Sequence, residues 1–90
     1  MRITRKLLHV TDKMHSLQAE RGQVSSDLAL HRHINVDAQR DAAVSGTNEE
    51  RLEATSTAAD VRRFEKRLAD IDKALAKLER KRQSLLAKLD

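Results

Sequence analysis

The chain has 90 residues, a net charge of +4 and 36% charged residues, with one aromatic residue and neither proline nor cysteine. A chain this short and this charged cannot bury a large multilayer core, which favours a single domain of long solvated helices. The missing cysteines exclude a disulfide framework and a thiolate metal site, and no apolar run approaches the ~20 residues of a membrane span.

The first predicted element is a helix over about 2–44. Its apolar residues Ile3, Leu7, Val10, Met14, Leu17, Val24 and Leu28 follow an alternating four–three spacing, with Arg21 on the one polar step. Such a 3.5-residue repeat is a coiled-coil seam and requires a partner helix. The basic opening Arg2, Arg5 and Lys6 has no apolar stretch behind it, so no export leader is expected and a cytoplasmic location is. Beyond Leu28 the seam weakens to His31, Asn35, Ala38 and Ala42, while Ile34, Val36 and Val44 fall off it.

A turn is predicted at 45–47. Gly46 can adopt the left-handed conformation that closes a helix, leaving Ser45 as the C-cap. Thr47 to Glu50 then reads as a capping box, with the Thr47 hydroxyl accepting from the Glu50 amide and the Glu50 carboxylate reaching back to the Thr47 amide. Glu49, Glu50 and Glu53 suit the positive end of the dipole of a second helix over about 48–89.

That second helix continues the same spacing through Val61, Phe64, Leu68, Ile71, Leu75, Leu78, Leu85 and Leu89, interrupted by Arg82. The two series pair off around Gly46: Ile3 with Leu89, Leu7 with Leu85, Met14 with Leu78, Leu17 with Leu75, Val24 with Leu68, Leu28 with Phe64. The expected fold is therefore all-α, two long helices in an antiparallel coiled-coil hairpin turning at Gly46. It could dimerise into a four-helix bundle or swap helices between chains.

Residues 31–57 are the weakest part of this reading. There His31 faces Val61, Asn35 faces Thr57, Ala38 faces Ala54 and Ala42 faces Glu50. A register shift or short extra helix that buries Ile34, Val36, Val44 and Leu52 is expected; the alternative is an apolar patch for a partner. The seam arginines, Arg21 opposite Ile71 and Arg82 opposite Val10, are expected to lay their stems over the seam and fix register, with Asp70 or Asp72 within reach of Arg21.

The flanks of the seam carry the candidate binding residues. One flank brings Lys6 near Lys88 and Lys13 near Lys81; the other sets Glu65, Asp72 and Glu79 against neutral Ser25, Gln18 and Thr11. A basic edge and an acidic edge on one hairpin could match across two copies. With Ile34 and Val36, these residues form the predicted partner-binding set. No cofactor or metal is expected, because His9, His15, His31 and His33 are not spaced for a helical metal pair and a hairpin offers no enclosed pocket for catalysis.

Three resemblances accompany this pattern. The stretch from Arg67 to Leu78 resembles the opening helix of all-helical chorismate mutases, without the further catalytic helices of that fold. The length and glycine turn are similar to the secreted helical-hairpin proteins of the WXG family, but Val44, Ser45 and Gly46 stand where that family carries a tryptophan motif. An arm with an acidic tip is similar in outline to transcription factors that enter the secondary channel of RNA polymerase, which carry an attached globular domain. None of the three covers enough of the chain to assign it. The expected function is a non-enzymatic protein–protein interaction module (assembly, adaptor or export-chaperone-like) that pairs with itself or another helical protein. The alternative is a nucleic-acid or transcription-machinery binder acting through its basic end or acidic tip.

Overall fold

A computed structural model describes residues 2–89 and consists of two helices, α1 (Arg2–Ser45) and α2 (Asn48–Ala87), packed as an antiparallel hairpin. Among the described residues there is no strand. Within 31–57, α1 runs unbroken to Ser45 and α2 runs unbroken from Asn48, so the expected register shift or extra helix does not occur. The four residues it was to bury stay in solvent: Ile34, Val36, Val44 and Leu52 are all exposed. Single exposed apolar side chains are common on soluble proteins and do not by themselves force a chain to refold around them.

The turn forms as its residues dictate. Gly46 has φ 65°, and its N–H donates to the Ala42 carbonyl at 2.9 Å, the single bond of a left-handed helix cap. The Glu50 amide donates to the Thr47 hydroxyl at 3.2 Å, which is half of the expected capping box. The other half differs. The Thr47 amide donates to Ser45 Oγ at 3.5 Å, while Glu50 Oε2 is buried without a hydrogen-bond partner. Ser45 lies closer in the tight turn than the Glu50 carboxylate, which sits on the seam. Helix α2 ends at Ala87, and Leu89 is exposed, so its pairing layer with Ile3 is open.

The chain divides into two compact units. The terminal unit comprises Met1–Gly22 with Ala69–Asp90. Its seam is aliphatic, and Val10 and Ile71 are each only 1% exposed, with Leu85 also buried. The turn unit, Gln23–Leu68, buries Val24, Leu28, Ala38, Ala54 and Thr57. In both units the seam positions read from the sequence, other than Leu89, are buried or half-buried. Asn35 donates to Thr57 Oγ1 at 2.9 Å, which sets the register of the turn unit as the pairing about Gly46 requires.

Within the terminal unit the run Val10, Met14, Leu17, Arg21 of α1 recurs in α2 as Ile71, Leu75, Leu78, Arg82. This local two-fold repeat places each arginine across from one of the two most buried side chains. Each guanidinium group leaves the seam for a carboxylate, Arg21 for Asp72 and Arg82 for Glu79.

Candidate functional site: the two flanks of the terminal unit

The guanidinium groups emerge on the acidic flank and settle there in two different ways. Arg21 crosses to α2 and donates to both oxygens of Asp72, at 2.6 and 3.3 Å. Arg82 stays on its own helix and donates to both oxygens of Glu79, at 2.9 and 2.8 Å, and Gln83 adds a third bond at 2.9 Å. Local sequence explains the difference. One turn before Arg21 stands neutral Gln18, so its carboxylate must come from the facing helix. One turn before Arg82 stands Glu79, and the facing residue Thr11 offers no charge.

These contacts perturb the acids in the expected direction. Hydrogen bonds from Arg82, then from Gln83, hold the Glu79 carboxyl at about 2, well below its ordinary 4.5. The Arg21 hydrogen bond lowers the Asp72 pKa in the same way. In the turn unit Glu65 lies 3.5 Å from Arg32. All three members of the predicted acidic edge, Glu65, Asp72 and Glu79, thus have a basic partner within the chain. A shallow groove of about 230 Å³ between Thr11, Gln18, Glu79 and Arg82 marks this flank.

The opposite flank is different in kind. Lys13 and Lys81 line one groove of about 610 Å³ together with Lys77, over a floor that includes Leu17 and Leu78. Ser16 and Ala74 also line it; their short side chains cannot close the gap between the helices. Among the described residues no ion pair neutralises these three lysines. Sequence reasoning placed Lys13 beside Lys81 but missed the groove, whose signal is the small pair Ser16 and Ala74 beside the leucines. A separate groove of about 560 Å³ is lined by Arg2, Thr4, Arg5, Lys6 and Leu8. It holds Lys6 but not its predicted neighbour Lys88.

In the turn unit the flanks are filled by local bonds. Asn35 and Gln39 donate to the Ala54 carbonyl at 3.1 and 3.4 Å, and Thr57 donates to the same oxygen at 3.2 Å. His31 stacks on Phe64 with ring centroids 4.5 Å apart, a contact the seam pattern alone does not reveal. Ile34 and Val36 remain exposed, with Leu30 a turn before Ile34 also exposed. Among the described residues no group of three His, Asp or Glu side chains is placed to hold a metal ion, and no helix is long and apolar enough to cross a membrane. Comparison with protein-family models, with curated proteins and with solved structures finds no match to this chain.

Proposed function

We propose that this chain is a non-enzymatic helix-binding module of the cytoplasm, an assembly, adaptor or export-chaperone-like hairpin that packs against a second copy of itself or another helical protein. The observation that carries this reading is the asymmetry of the terminal unit: Asp72 and Glu79 are bonded within the chain, while Lys13, Lys77 and Lys81 line an open groove with Leu17 and Leu78. A chain of this size without disulfides ordinarily needs extra stabilisation, and association supplies it. Exposed Leu8 and Leu86, close to the ends of the seam, add apolar surface for the same purpose.

Sedimentation equilibrium of the full chain across the micromolar range tests the self-association arm. A concentration-dependent dimer supports it, with weakening on charge reversal at Lys13 and Lys81. A fully helical monomer at every concentration removes that arm and leaves a different helical protein as the partner. A second reading, nucleic-acid binding, draws on the Arg2, Arg5 and Lys6 groove. It requires affinity for a labelled duplex or single strand that falls steeply with salt and depends on those three residues.

A further inference from the structure

We infer that the groove between Lys13 on α1 and Lys77 and Lys81 on α2 is a docking site for an acidic amphipathic helix of a partner protein, which lies along it as a third coiled-coil strand. This deepens the helix-binding reading and rests on it.

The occupant follows from charge and shape together. Lys77 and Lys81 stand one helical turn apart on α2 and Lys13 lines the same groove from α1, so three lysines share one groove. Like charges at this spacing oppose one another, and the hairpin's own acids do not relieve them. Asp72 is held by Arg21, and Glu79 by Arg82 and Gln83, on the other flank. Carboxylates on a partner would therefore find these lysines open to pairing. The floor then selects among anions. Leu17 and Leu78 are half-buried seam residues, and between the helices Ser16 and Ala74 leave room for side chains to enter. A helix presenting an apolar stripe would set its residues over these leucines as knobs in a hole, and acids flanking the stripe would reach the lysines. A phosphate backbone would meet the lysines but leave the leucines uncovered, and no aromatic side chain lines the groove for a base to stack on.

The test uses the full chain and a fluorescent synthetic helical peptide with leucine at the seam positions and glutamate at the flanks. Binding is followed by anisotropy. A polyglutamate of equal length and a labelled oligonucleotide serve as competitors. Micromolar binding of the peptide is expected. It should weaken at least tenfold in the Lys13→Glu, Lys77→Glu, Lys81→Glu triple variant and comparably when Ala74→Phe fills the groove. Circular dichroism checks that each variant keeps its helicity, and a Lys→Gln triple replaces any that does not. Unchanged affinity in these variants overturns the site. Equal binding of polyglutamate overturns the apolar floor, and stronger, lysine-dependent binding of the oligonucleotide overturns the helical occupant. Self-association that blocks the peptide and needs the same lysines puts a second copy in the groove in place of a separate partner. If the peptide fails while sedimentation still finds a dimer insensitive to these lysines, the groove assignment falls and the helix-binding reading stands.

Discussion

The terminal unit and the turn unit share one seam spacing but hold it by opposite means. The terminal unit fills most of its layers with aliphatic side chains, and its two most buried residues are Val10 and Ile71. The turn unit buries Val24 and Leu28 on the same spacing, but toward the turn its layers pass to alanines and a polar cluster, in which the Ala54 carbonyl accepts from Asn35, Gln39 and Thr57. Volume stabilises the first, and hydrogen bonds across small layers hold the part of the second nearest the turn. A hydrogen bond inside a protein adds only about 1 kcal/mol net, whereas a buried aliphatic side chain contributes about 1.5–3 kcal/mol. The aliphatic layers are therefore the firmer by their core, and the layers of the turn unit beyond Leu28 the more exacting about size and direction.

This contrast predicts that the two units break under opposite substitutions. Ile71→Ala removes most of a fully buried side chain and leaves a void across from Arg21, for an expected loss of about 2–5 kcal/mol. Ala54→Leu instead forces a large side chain into a layer where the residue is 5% exposed and its carbonyl carries three side-chain bonds, for an expected loss of about 1–3 kcal/mol. Urea unfolding followed by circular dichroism measures both. A gain in stability from Ala54→Leu would show that the turn unit is merely underpacked, and the contrast would collapse.

The two glycines sharpen the same comparison, because neither has a neighbouring atom within 4 Å of where a Cβ would stand. Steric room is thus equal and only backbone conformation differs. Gly46→Ala places a side chain at φ 65° and is expected to cost about 1–2 kcal/mol. Gly22→Ala, inside α1, is expected to stabilise by about 0.8–1 kcal/mol through helix propensity. Thermal melts of the two single variants should move in opposite directions. Two shifts of the same sign would deny Gly46 its role as the helix cap.

Much of this architecture was legible in the chain because coiled-coil spacing and a glycine turn are local signals that agree with each other. Gly46, the Thr47 cap and the inward run from Leu7 to Leu85 follow from spacing and residue type alone. The extra helix expected over 31–57 was wrong because Asn35 bonds Thr57, and Asn35, Gln39 and Thr57 all bond the Ala54 carbonyl, and an amide that bonds a facing carbonyl does not show in hydropathy. The reach of Arg21 to Asp72 was anticipated; that Arg82 would turn to Glu79 depends on the neighbours Gln18 and Thr11, which matter only once the facing register is known. The acidic edge was legible as a row of charges, but its internal occupation was not. The lysine groove went unread because it depends on what Ser16 and Ala74 lack.

The smallest expected effect concerns pH and again separates the two flanks. The Glu79 carboxyl, held at about 2 by Arg82 and Gln83, has a folded pKa below its ordinary 4.5. In the window between those values the folded chain binds fewer protons at this site than the unfolded chain, so stability rises with pH. The contribution is fully present above about 4.5 and is lost as pH falls toward 2. Asp72, lowered by Arg21, acts in the same direction. Both carboxylates are partly open to solvent, so screening keeps the effect modest. Melting temperature should decline on acidification through this window, and Glu79→Gln should flatten part of the decline while leaving the neutral-pH fold intact. Carbon-detected titration of the Glu79 carboxyl supplies the direct check. A midpoint near 4.5 would mean that Arg82 swings free of Glu79 in solution. Its guanidinium would then join the lysines as uncompensated charge, and the electrostatic difference between the two flanks would shrink to the single bridge from Arg21 to Asp72.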